Sequence, residues 1–161
     1  MYVKKRELEV ITIEEAIIVY GLNLQGSGLP ISFDSLGMMW DRYTEDIKRS
    51  TPNLKDGNIE YGVCLNKVPD YIVGLEVTEI NEEPAGYKCF TIPAGQYVKV
   101  LFNGENHANL VDQKLMSNQK AAKKWAKSEK LKLNNKFTVE VYPKHMAEME
   151  YPEMYCLFPI D

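Results

Sequence analysis

The chain has 161 residues, of which 45% are hydrophobic and 26% charged, with 8 prolines and 10 glycines. This composition excludes a disordered, collagen-like or low-complexity polypeptide. The 19 basic and 23 acidic residues leave a net charge of −4, so the broadly basic footprint of a nucleic-acid-binding domain is absent.

The length suits one domain spanning residues 1–161, large enough to bury roughly 70% of its unfolded surface. No apolar run approaches the roughly 20 residues of a membrane helix. The opening MYVKKRELEV carries no apolar stretch behind its charges, so no secretory leader is expected. Cys64, Cys89 and Cys156 lack a CxxC spacing, which argues against a disulfide framework or structural zinc. A cytoplasmic location is expected.

In chain order, ELEVITIEEAIIVYGLNLQ (7–25) reads as two strands, or one kinked strand, with a bend at Glu14–Glu15. Gly26, Gly28 and Pro30 mark a loop. From Ser32 the period changes: Leu36, Met39/Trp40, Tyr43 and Ile47 recur at three and four, which predicts an amphipathic helix with Ser32 as N-cap and Pro52 beyond its end. DGN (56–58) signals a turn. IEYGVCLN (59–66) and YIVGLEVTEI (71–80) then read as a hairpin around KVPD. KCFTIPAGQYVKVLFNG (88–104) is extended and broken near Pro93–Gly95. A second helix is predicted from about 106 to 127, with Val111, Leu115, Ala122, Trp125 and Ala126 on its apolar side. FTVEVY (137–142) and MYCLFPI (154–160) close the chain as strands.

The chain contains its own echo. ITIEEAIIVYGLN (11–23) and FTIPAGQYVKVLFN (90–103) share a strand, a small-residue bend, a second strand and a terminal Asn. Each precedes a loop, a Trp-bearing amphipathic helix and two strands. The expected architecture is α+β, with duplicated β-α-β-β units at about 6–80 and 86–160 and a cleft between the halves.

Several stretches, taken in order, resemble the GyrI-like domains, the effector-binding domains of AraC- and MerR-type multidrug regulators. SLGMMWDRY resembles the family's first helix, YGV and YIVGLEV its paired strands, and TIPAGQYVKVLFNGE its Ile-Pro-x-Gly-x-Tyr signature. KKWAKSEKLKLNNKFTVEVY resembles its helix-to-strand passage ending in Glu-x-Tyr, and LFPI its closing strand. The resemblance implies a concave antiparallel sheet and two long helices around a ligand cleft. In the regulators a DNA-binding segment precedes this domain. Here the first strand begins within about ten residues of Met1, so a stand-alone pocket without direct DNA binding is expected.

Alternation in FTVEVY places Glu140 and Tyr142 on one face, where a carboxylate beside an aromatic suits a lipophilic cation. The resemblance puts its ligand-contacting Glu at this motif. Glu76 is a second candidate acid, with Gly74 leaving space beside it, and two acids in one cleft raise each other's proton affinity. Trp40, Tyr43, Tyr61 and Tyr97 are candidate aromatic walls, and Met39 supplies adaptable packing. Tyr71 and Tyr155 belong to the same aromatic stock. His107 and His145 are isolated, so no metal site is expected, and nothing calls for a cofactor.

Three functions compete. The first is a binding protein for hydrophobic, cationic or aromatic small molecules, anchored by Glu140. The second, implied by stand-alone members of the family, is a hydrolase of strained electrophilic rings using Glu140, Glu76 and Tyr97. The third is an interaction module for gyrase or a separate DNA-binding regulator.

Overall fold

The computed structural model describes every residue except 49. Eight strands form one antiparallel sheet: β1 (Arg6–Ile13), β2 (Ile17–Asn23), β3 (Leu54–Leu65), β4 (Asp70–Val77), β5 (Tyr87–Ile92), β6 (Gly95–Asn103), β7 (Phe137–Pro143) and β8 (Glu153–Pro159). Their order across the sheet is β1-β6-β8-β7-β3-β4-β2-β5. Exchanging each strand of the first half for its counterpart in the second reproduces this order in reverse, so an approximate two-fold axis passes between β7 and β3. The duplication expected from the internal echo therefore appears as topology, with one addition. The first strand of each half is given to the other half, since β1 pairs with β6 and β5 with β2.

This exchange curls the sheet. Ile13 and Ile17 are four residues apart, within about 14 Å of extended chain, yet β1 and β2 stand six strand positions apart. In a flat sheet that separation is roughly 29 Å. The edges must bend toward each other, and Phe90 of edge strand β5 meets Phe137 of central β7 with ring centroids 5.1 Å apart. The inside of the curl is filled by Val19, Val63, Ile72, Ile92, Val139 and Leu157, together with Tyr61 and Tyr97.

Both helical runs pack on the other face. The helix α1 (Phe33–Arg42) continues through a π-helical turn, Tyr43–Ile47, and lays Met39, Tyr43 and Ile47 on Tyr71, Val73 and Leu75. The second run comprises α2 (His107–Asn109), a π-helical turn (Leu110–Lys114) and α3 (Leu115–Ser128). Leu110, Ala122 and Ala126 cover Val98, Val100 and Phe102. A short helix, α4 (Lys144–Ala147), joins β7 to β8.

Local signals met different fates. Asn106 caps the second run, its side chain accepting from the Asn109 amide at 2.8 Å. Ser32 precedes α1 but offers no side-chain cap and instead meets the Ser35 hydroxyl at 3.2 Å. The DGN turn lies within β3 as a break in its register against β4. Asp56 accepts from the Asn58 amide there at 2.8 Å, bulging the strand without ending it.

Candidate functional site

Because β7 and β3 flank the pseudo-axis, their outer face lies between the two helical runs, each of which covers the outer strands of its own half. Glu140 of β7 occupies this gap and is 5% exposed. Directly across the ladder stands Gly62 of β3, and on the other flank Cys156 of β8. Small neighbours leave room above the carboxylate, and the groups that reach it come from further along β3, β4 and β7.

Oε1 of Glu140 accepts hydrogen bonds from the Tyr71 and Tyr142 hydroxyls, each at 2.8 Å. The Cys64 thiol lies 3.7 Å from Oε2. Tyr71 in turn accepts from the Trp40 indole N–H at 3.0 Å. A chain of donors thus runs from α1 through β4 to the acid, and no cation joins it among the described residues. Burial pushes the Glu140 carboxyl above its ordinary range, while the bonds from Tyr142, Tyr71 and Cys64 pull it back. Burial followed by the Glu140 charge drives Tyr71, Tyr142 and Cys64 well up. These three therefore serve as neutral donors to an acid that carries an unusual cost of ionisation.

Above this cluster lies a cleft of about 270 Å³, walled by Trp40, Tyr142, Leu36, Val111 and Leu115, with Asp34 and Asp112 among its lining residues. Trp40 meets Tyr142 edge to face, with centroids 5.0 Å apart. A second lobe of about 320 Å³ shares Trp40, Val111 and Tyr142. A more open hollow of about 350 Å³ shares Phe33, Leu36 and Tyr71 on the opposite side. The cleft is therefore a trough with Glu140 at its middle. It lies between the helices and is distinct from the hollow of the curled sheet, which is filled.

Of the residues singled out in the sequence, Glu140, Tyr142 and Trp40 come together here. Met39 and Tyr43 lie beneath α1 and are fully buried; Tyr43 touches the cleft only by packing against Trp40, with centroids 5.6 Å apart. Tyr61, Glu76 and Tyr97 lie on the other face. Tyr61 and Tyr97 belong to the core inside the curl, and the Tyr97 hydroxyl donates to the Pro93 carbonyl at 2.6 Å. Glu76 pairs with Lys55 at 3.5 Å. The space expected beside it at Gly74 is taken by the Tyr20 backbone. Glu76 therefore does not share a cleft with Glu140, and burial, not a second acid, raises the Glu140 carboxyl. Tyr71, named in the sequence only among the aromatic stock, completes the site together with Cys64, Gly62 and Val111, which were not singled out for it. Their signal was the alternation of Gly62 and Cys64 in YGVC, readable only once β3 is known to pair with β7.

Comparison with curated protein sequences finds no match. Among solved structures, an integron cassette protein from the mobile metagenome of Vibrio cholerae is similar, with TM-score 0.65 and 14% identity, over 98% of this chain and 99% of that one. SAV2435, solved bound to tetraphenylphosphonium, has TM-score 0.67 and 11% identity, over 96% of this chain and 94% of that one. The C-terminal domain of EcmrR has TM-score 0.67 and 15% identity, over 99% of both chains. In an EcmrR–DNA complex the match covers 98% of this chain and 57% of the longer one. These likenesses establish the fold, the GyrI-like effector-binding architecture expected from the sequence. The profile of the Cass2 family matches residues 7–160, and the chain belongs to this family of integron-associated effector binding proteins.

Proposed function

We propose that the chain binds hydrophobic cations, including aromatic ones, in the trough between its helices, with Glu140 as charge anchor. One observation carries the reading: Glu140 is buried and hydrogen-bonded only by hydroxyls and a thiol, with no positive partner among the described residues. A buried carboxylate in that state is destabilising unless a cation arrives to pair with it. Trp40 and Tyr142 line the cleft at the same place, and a ring face turned to a desolvated cation is worth roughly 0.5–2 kcal/mol. Tetraphenylphosphonium in SAV2435 is a ligand of this chemistry and supports the same class here.

The test is calorimetric titration with tetraphenylphosphonium and with a neutral aromatic of similar size, on wild-type protein and on Glu140→Gln. Cation affinity should fall by about tenfold or more in the variant, and neutral affinity should change far less. Equal losses for both ligands would remove Glu140 from the anchor role. The hydrolytic reading draws less support, because Glu76 and Tyr97 lie across the sheet from Glu140 and cannot act with it on one substrate.

A further inference from the structure

The second lobe of the trough lies beyond the Trp40–Tyr142 pair and carries its own acid. Glu60 is the direct cross-strand partner of Tyr142, while Glu140 is paired with Gly62 two residues further along β3. Glu60 and Glu140 are therefore diagonal neighbours on one face, about 7–8 Å apart at the backbone. Trp40 and Tyr142 line both lobes, with Glu60 lining one and Glu140 the other.

Among the described residues, the charges in this lobe are incompletely balanced. Asp41, Glu60 and Glu153 face it. Lys5 holds Glu153 at 3.1 Å, and Lys48 approaches Glu60 only to 3.7 Å from a half-exposed position. Among the described residues, three carboxylates thus meet two lysines, with His107 on the wall. A half-exposed lysine at that distance is held weakly and is readily displaced. Tyr43 is fully buried against Trp40, and after burial the Glu60 charge is what most disfavours its ionisation.

We infer that this trough accepts elongated dications, one cationic group at Glu140 and the other at Glu60 in place of the Lys48 ammonium, with a flat linker passing the Trp40 and Tyr142 rings. The inference rests on the Glu140 reading and extends it to a second charge at a set distance. A compact monocation gains nothing from the second lobe. An anion meets an excess of carboxylates.

The experiment compares benzyltrimethylammonium with para-xylylene bis(trimethylammonium), which adds a second ammonium group at the opposite end of the same ring. Both are titrated against wild-type protein, Glu60→Gln and Lys48→Met. In wild type the dication should bind about tenfold tighter than the monocation. That preference should shrink toward unity in Glu60→Gln and grow in Lys48→Met, because the two substitutions act on the Glu60 charge with opposite sign. Monocation binding with no dication preference, or a preference indifferent to both substitutions, overturns the inference and leaves the Glu140 anchor standing. Failure of both compounds to bind wild-type protein overturns both readings together.

Discussion

Gly62 faces Glu140 directly across the β3–β7 ladder, and the missing side chain is what lets the acid keep its partners. A Cβ at position 62 would collide with the Tyr71 hydroxyl and lie 2.8 Å from Oε1 of Glu140. Gly62→Ala must therefore push apart the two groups whose hydrogen bond defines the site. A loss of about 1–3 kcal/mol is expected in urea denaturation, together with weakened cation binding. Unaltered stability and affinity would show that the cluster is free to rearrange.

Glu140 carries a sign that stability measurements can read. Its folded-state carboxyl titrates above the ordinary value of 4.5. Below that value the acid is protonated in folded and unfolded chains alike, and its contribution to stability is intact. As pH rises through the raised value, the folded protein must ionise a buried group, and stability is lost. Glu140→Gln cannot ionise. The variant should match the wild type at about pH 4 and exceed its melting temperature at neutral pH. A difference independent of pH would contradict the buried-acid account.

Cation binding should release a proton. The ligand selects the carboxylate, so affinity should rise with pH through the Glu140 titration and level off above it. Calorimetry in buffers of different ionisation enthalpy detects the released proton. Heats that are identical in all buffers near the titration midpoint would place the ligand's charge elsewhere.

Tyr71→Phe removes one of the bonds that hold the Glu140 carboxyl down and leaves the Trp40 indole N–H without its acceptor. The midpoint of the affinity–pH profile should move to higher pH, with a stability loss of about 1–3 kcal/mol. The shifted midpoint separates this role from mere packing, since a cavity alone changes stability without moving a titration.

Trp40→Leu tests the aromatic wall. Cations should lose roughly 0.5–2 kcal/mol, seen as a several-fold rise in Kd, while neutral ligands of equal size lose less. Equal losses for the two classes would assign Trp40 to shape alone.

Much of the fold was legible because strand and helix periods are local. The Pro93–Gly95 break, the start of the second helix near 106 and the KVPD hairpin are each encoded within a few residues. Glu140 and Tyr142 were legible for the same reason, lying two apart on one strand. Glu76 looked equivalent to Glu140 in alternation, but a strand's pattern does not reveal which of its faces meets the helices. That assignment follows from β3 pairing with both β7 and β4, contacts between segments far apart in sequence. Tyr97 shows the same limit: its signature residues are local, while its burial inside the curl depends on β1 crossing to the far half.

The crossed edge strands bear on how the molecule can be assembled at all. With β1 clasped by β6 and β5 by β2, neither half can complete its own hydrogen-bonding without its twin, so a single half made as a separate peptide exposes a raw strand edge prone to aggregation. Such interlocking also demands distant pairings before any local gain, which favours slow, all-or-none acquisition of the native state.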